Sequence, residues 1–108
     1  AFTKFYFSLI SCFLATTSIL ANDDQIRFSR DVLPLLSDRC FHCHGPDETH
    51  READLRLDLE ASAVGREGSA APILRHDAKH SEFIQRISSD DPDLKMPPPG
   101  SNRKSLSP

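Results

Sequence analysis

Cys40-Phe41-His42-Cys43-His44 is the stretch around which the other motifs of this chain are arranged. Two cysteines separated by two residues and followed at once by a histidine form the attachment sequence for haem c. One short turn presents both thiols along one porphyrin edge, where each thiol can add to a vinyl group as a thioether. The histidine that follows is carried over the ring face, where its imidazole can bind the iron. The motif therefore predicts covalent haem held by Cys40 and Cys43, with His44 as the proximal ligand.

Three other uses of this cysteine pair compete with haem attachment. A zinc site needs four ligands, and the chain has no second C-x-x-C, although His50, His76 and His80 are available. A thioredoxin-like redox pair follows a strand in a βαβ unit, whereas the residues before this motif have a helical pattern. A structural disulfide suits an exported protein but leaves the adjacent histidine as a coincidence. Haem attachment is the preferred interpretation.

Residues 1–21 are predicted to be a secretory signal peptide. Lys4 supplies a positive charge, residues 5–20 are apolar apart from serine and threonine, and Ala21 is a small residue at the cleavage position. A retained N-terminal anchor is the alternative, although the stretch is short for a membrane span. Residues 9–12 resemble a lipoprotein cleavage box, but the apolar stretch continues beyond them. Export to the periplasm or cell envelope supports the haem interpretation, because bacteria attach haem to this motif outside the cytoplasmic membrane.

Residues 22–108 are predicted to form one small domain. The whole chain of 108 residues has a formal charge of −3 and no basic run or stripe, so it lacks the footprint of a nucleic-acid-binding protein. A domain of this size buries only a modest core and often needs a metal, disulfide or cofactor to stay folded. A haem could meet that need, since both faces of its ring are largely apolar.

The periodicity of apolar residues predicts two helices. The first covers residues 29–38, with Ser29 as its N-cap and Pro34 distorting its first turn. The second covers residues 78–87, with Asp77 as its N-cap. Its apolar stripe consists of Phe83, Ile84 and Ile87.

The remaining segments are predicted to be short. Residues 55–59 alternate leucines with polar residues, which indicates an extended segment with its leucines facing inward. A helical turn is expected over residues 60–64, and another extended segment over residues 72–74. Loops are expected between these elements, and the three remaining histidines are expected to be exposed on them or at a helix start: His50, His76 and His80.

Met96 is the only methionine and directly precedes three prolines. A lone methionine ordinarily fills a gap in a core. Downstream of a C-x-x-C-H motif, however, its thioether is a suitable sixth ligand for haem iron. The prolines hold the loop extended, which reduces the entropy lost when it closes over the ring. Met96 is therefore the predicted distal ligand, with a core methionine or a histidine ligand as alternatives.

Five motifs in order resemble the planctomycete-type cytochrome c domain. They are SRDVLPLL (29–36), C-x-x-C-H-Gly-Pro-Asp (40–47), LRLD (55–58), SEFIQRI (81–87) and DDP through MPP (90–98). The resemblance implies an all-α fold similar to class I cytochromes c, with one covalent haem c. It also implies thioether bonds from Cys40 and Cys43, and His44 and Met96 as the axial iron ligands.

Two features depart from that family pattern. Family members usually have a Pro-Gly turn before the second helix, and Arg75-His76 stands there instead. The family also continues after Leu106-Ser107 into a C-terminal amphipathic helix that crosses the first helix. The domain over residues 22–108 is therefore expected to be incomplete at its C-terminus, with its first helix partly uncovered.

The expected function is electron transfer by a carrier domain rather than catalysis. A redox or haem-sensing accessory domain of a larger exported enzyme is the first alternative, and a small metal- or disulfide-stabilised binding module is the second. The expected partner is a redox protein or downstream domains of the same polypeptide, with no nucleic acid. Membrane contact is expected only if residues 1–21 are retained.

Overall fold

The computed structural model describes residues 24–107, and the predicted signal peptide lies outside them. A π-helical turn, Phe28–Val32, leads into α1, and two further short helices and two short strands follow. The described residues therefore form a small domain with three short helices and little strand. In chain order these elements are α1 (Leu33–Arg39), α2 (Glu60–Ala63), β1 (Val64–Gly65), β2 (Ile73–Leu74) and α3 (Glu82–Ile87).

The first predicted helix is present, but it begins differently. Ser29 lies within the π-helical turn, and the backbone N–H of Arg27 at the cap position donates to the Asp31 carboxylate at 2.8 Å. The N–H of Leu33 donates to the carbonyl of Phe28, five residues back, which widens the turn just before Pro34. Because proline has no N–H to donate, the irregular first turn is the predicted distortion. That distortion is confirmed, and the Ser29 cap is wrong.

The second predicted helix is shorter than expected. Asp77 accepts the N–H of His80 at 3.1 Å, as a capping residue does, but this turn does not continue into α3. Ser81 interrupts it with an extended backbone, ψ 117°. The buried Ser81 hydroxyl donates to the Asp77 carbonyl at 2.7 Å and accepts the N–H of Leu74 at 2.8 Å. This tie to β2 fixes Ser81 outside the helix, so α3 begins only at Glu82.

The two strands form one short parallel pair, in which Val64 lies opposite Ile73 and Gly65 opposite Leu74. The extended segment over residues 72–74 is confirmed, whereas its partner was not predicted, because two residues are too few to show an alternation. The helical turn predicted over residues 60–64 is present as α2, but it ends at Ala63, and Val64 belongs to β1.

The segment over residues 55–59 is irregular and belongs to no strand. Leu57 is buried as predicted, but Leu59 is 43% exposed, so the prediction that all its leucines face inward is wrong.

Few apolar side chains are buried between these elements. Within residues 24–107 they are Leu36 from α1, Leu57, Ala63 and Pro97. Leu36, Leu57 and Ala63 also line a cavity of about 360 Å³ between α1 and the strands, so the packing there is loose. No helix in the described part of the chain combines the length and apolar character needed to cross a membrane.

Candidate haem-binding site

The C-x-x-C-H motif forms a tight turn at the end of α1. The N–H groups of Cys40 and Phe41 both donate to the Leu36 carbonyl, at 2.8 and 3.0 Å, and close the helix. The N–H groups of Cys43 and His44 then donate to the Cys40 carbonyl, at 3.2 and 2.8 Å. Both cysteines are free thiols. A single turn thus presents two half-buried thiols and one imidazole.

Gly45 allows the chain to leave this turn. Gly45 is buried, and a Cβ built at this position would lie 2.2 Å from the carbonyl oxygen of Phe41. Only a residue without a side chain fits so close to the backbone of the turn. The glycine after the motif is therefore required by packing.

The orientation of the His44 ring is set by a backbone carbonyl. Its Nδ1 lies 3.3 Å from the Glu52 carbonyl oxygen, which can only accept a hydrogen bond. Nδ1 therefore carries the proton in the neutral imidazole, and Nε2 keeps the lone pair that a metal ion needs. The Glu52 N–H also donates to the Cys43 carbonyl at 2.7 Å, and the Leu57 N–H to the His44 carbonyl at 2.9 Å. The loop after the motif thus holds His44 on both sides.

Arg51 supports the same turn with its side chain. Its Nε donates to the Gly45 carbonyl at 3.0 Å, and its Nη2 to the Pro46 carbonyl at 3.1 Å. The Arg51 side chain is only 14% exposed, although Arg51 lies in a predicted loop. No pattern in the sequence marks Arg51 or Glu52 as supporting residues, because their contacts depend on the path of the loop.

Met96 lies beside this turn, although it is more than fifty residues away in sequence. Its N–H donates to the Arg86 carbonyl at 3.1 Å, which places it next to α3. A cavity of about 310 Å³ is lined by Cys40, His44 and Met96. The rest of its wall is mostly apolar and includes Leu55, Leu57, Pro72, Phe83 and Ile87.

A second, smaller cavity of about 30 Å³ is lined by Cys40, Cys43, His44 and Met96. Pro97 and Pro98 form part of its wall, and Arg39 and Arg103 contribute charge. Three of the four predicted site residues line both cavities. The fold therefore brings all four together around the smaller cavity.

Burial also affects the chemistry of the first cysteine. It raises the pKa of the Cys40 thiol above its ordinary value, and the neighbouring Arg39 partly opposes this rise. The thiol rather than the thiolate is therefore favoured at neutral pH.

His50, His76 and His80 are exposed, as predicted. The His50 ring lies against that of His42 at a tilt of 34°, with centroids 4.6 Å apart, and its Nδ1 lies 2.8 Å from the Asp47 carboxylate. Hydrogen bonds from Thr49 and His50 hold the pKa of Asp47 well below its ordinary value. Within residues 24–107, no three His, Cys, Asp or Glu side chains converge to hold a metal ion. The exposed histidines are His42, His50, His76 and His80.

The residues around the cavities fit a covalent haem. His44 offers an unprotonated imidazole nitrogen, Met96 a thioether, and the cysteines two free thiols. The larger cavity is mostly apolar and within the size range of ligand pockets, roughly 300–1,000 Å³. A haem needs these groups and an apolar wall.

A known protein family matches the part of the chain that contains this site. A family model described as Planctomycete cytochrome C matches residues 40–100, from the first cysteine of the motif to Gly100 after the three prolines. No curated protein and no solved structure matches the chain.

Proposed function

The chain belongs to the planctomycete cytochrome c family, and we propose that it is an electron carrier with one haem c bound through Cys40 and Cys43. One observation supports this proposal above the others. Met96, far away in sequence, lines the same two cavities as the C-x-x-C-H turn, as a distal ligand must. We further propose that haem attachment, and so function, takes place in the periplasm or cell envelope.

In this proposal each residue has a distinct role. When bound, the haem supplies one-electron exchange at its iron. Cys40 and Cys43 anchor its edge, His44 offers Nε2 to the iron, and Met96 offers its sulfur. The hydrogen bond to Glu52 keeps the His44 ring in the metal-binding tautomer.

The residues that line the two cavities would exclude water from the haem and provide a surface for electron transfer. The apolar wall of the larger cavity keeps water from the ring. The smaller cavity lies at the cysteine edge, where Arg39 and Arg103 add positive charge. We propose that a redox partner, or downstream domains of the same polypeptide, approach this edge with an acidic surface.

Haem attachment is tested by expressing the full chain with a bacterial haem-attachment system. We expect a covalently bound haem whose alkaline pyridine spectrum indicates two saturated vinyl groups. Cys40→Ser and Cys43→Ser should each give a spectrum with one vinyl group and a much lower yield, and the double variant should be colourless. Covalent haem in the double variant would contradict the proposal.

The distal ligand is tested separately by the ferric thioether–iron charge-transfer band. Met96→Ala should abolish this band and allow small exogenous ligands to bind the iron. Met96→His should lower the reduction potential, because a neutral thioether favours ferrous iron more than imidazole does. His80→Ala is the matched control, since His80 is exposed and lines neither cavity. Survival of the band in Met96→Ala would exclude Met96 as the ligand.

A further inference from the structure

We propose that Arg86 binds a haem propionate through its guanidinium group. This inference rests on the proposed haem function and adds a fifth haem-binding residue to the predicted set. Arg86 lies in the last turn of α3. Its position in the larger cavity suggests a more specific role.

The first step concerns the direction in which the propionates point. Both cysteines line the smaller cavity, but only Cys40 lines the larger one. Thioether bonds form at the vinyl groups on one porphyrin edge, and the two propionates lie on the opposite edge. A ring anchored by Cys40 and Cys43 therefore directs its propionates into the larger cavity, away from Cys43.

The second step concerns charge within that larger cavity. Of the twelve side chains that line it, those of Glu82 and Arg86 carry a charge at the carboxylate or guanidinium, and only Arg86 is a cation. A carboxylate withdrawn from water needs a charged or hydrogen-bonding partner. Arginine suits a carboxylate best, because its planar guanidinium donates two parallel hydrogen bonds.

The two other nearby arginines, Arg39 and Arg103, line the smaller cavity beside the cysteines and already have hydrogen-bond partners. Arg39 donates from Nη1 to the Lys104 carbonyl at 2.9 Å and also pairs with Asp38. Arg103 donates from Nη1 to the Asp38 carbonyl at 3.2 Å. Both line the smaller cavity and neither lines the larger one, so they lie on the wrong side to meet a propionate.

The third step concerns the donors that Arg86 has available. Its Nε donates to the Glu82 carboxylate at 2.7 Å, and its Nη1 makes only a long contact of 3.5 Å with the Leu94 carbonyl. No group within residues 24–107 accepts a hydrogen bond from its Nη2. The Arg86 carbonyl meanwhile accepts the Met96 N–H, which fixes the Arg86 backbone beside the loop that contains Met96. The Arg86 backbone is thus held in place, while its guanidinium keeps N–H groups that can donate further hydrogen bonds.

Resonance Raman spectroscopy of the full, haem-loaded chain tests the proposal through the propionate bending mode. Loss of a hydrogen bond to the propionate lowers the frequency of this mode. Arg86→Leu should therefore shift it downwards, and Arg86→Lys should shift it less. Arg75→Leu is the matched control, because Arg75 also pairs with a glutamate, Glu60, but lines neither cavity. It should leave the mode unchanged.

A further variant covers the case in which Arg86→Leu does not fold or does not take up haem. Glu82→Gln removes the competing carboxylate, leaves Arg86 in place, and should shift the mode upwards. An unchanged mode in Arg86→Leu, or in both Arg86→Lys and Glu82→Gln, would overturn the proposal. A wild-type chain without covalent haem would instead refute the proposed function, so the two failures are distinguishable.

Discussion

Gly45→Ala is the sharpest test of how the haem-binding turn is built. The new Cβ would lie 2.2 Å from the Phe41 carbonyl oxygen, about 0.8 Å short of the closest approach that such atoms tolerate, 3.0 Å. The carbonyl carbon and Cα of Phe41 would also lie within 3.1 Å of the new Cβ. All of these are backbone atoms, so no side chain can rotate away and the C-x-x-C-H turn itself has to move.

The cost of that movement can be worked out from the contacts it disturbs. A shift of the turn strains the bond from the Arg51 Nε to the Gly45 carbonyl and the bond from the Leu57 N–H to the His44 carbonyl. Each is worth about 0.5–1.5 kcal/mol, and overpacking adds about 1–3 kcal/mol. Because strain removes only part of each hydrogen bond's contribution, we expect a loss of about 2–4 kcal/mol in the free energy of unfolding. For a domain of this size that lowers the melting temperature by roughly 10–20 °C.

The assay is thermal unfolding of the haem-loaded chain, followed by circular dichroism, together with the yield of covalent haem. Gly100→Ala is the matched control, because no atom lies within 4 Å of the new Cβ and neither glycine has a positive φ. It should be neutral or stabilising by up to about 1 kcal/mol. If Gly45→Ala unfolds at the same temperature as Gly100→Ala and takes up haem equally well, the close packing inferred at Gly45 is wrong.

Two further variants test stability elsewhere in the domain. His76 has φ 60°, so His76→Gly should raise the free energy of unfolding, measured in urea, by about 0.5–1 kcal/mol. His80 has no positive φ, so His80→Gly should lower it. A lower free energy of unfolding in both variants would contradict strain at His76. The Arg56 guanidinium lies 2.6 Å from the Asp58 carboxylate and lowers the pKa of Asp58 below its ordinary value of 3.8. The ionised Asp58 therefore stabilises the fold fully above pH 3.8, and this stabilisation is lost as the pH falls below that value. Urea unfolding between pH 2 and 6 should therefore show a smaller acid-side loss for Asp58→Asn than for the wild type; equal losses would contradict this.

The turn before α3 shows what the sequence could and could not predict. The family resemblance placed a Pro-Gly turn where Arg75-His76 stands. The structure keeps that turn, since the Asp77 N–H donates to the Leu74 carbonyl at 3.2 Å and His76 takes a positive φ. The third position of a type II turn favours glycine for that reason. A histidine in a sequence does not predict a positive φ. The backbone conformation of His76 is therefore determined by the surrounding structure rather than by its residue type.

Helix ends were the least predictable part of the fold, and Ser81 explains why. Asp77 and Ser81 are both residue types that cap helices, so the sequence allows a start at either. The choice depends on whether the Ser81 hydroxyl can reach the backbone of Leu74, which belongs to β2. That contact exists only after the segments have packed. The motif residues, in contrast, are predictable because the spacing of Cys40, Cys43 and His44 is a local property of one turn.

Leu57 shows how closely the site and the core depend on each other. Its side chain is buried and lines both the larger site cavity and the loose cavity beneath α1. Its N–H donates to the carbonyl of His44. Since only four apolar side chains within residues 24–107 are buried, protein contacts alone provide a small driving force for folding. A haem that fills the larger cavity would bury Leu57, Phe83 and Ile87 further and stabilise the peptide that holds His44. Haem binding and folding of this domain are therefore expected to be a single cooperative process.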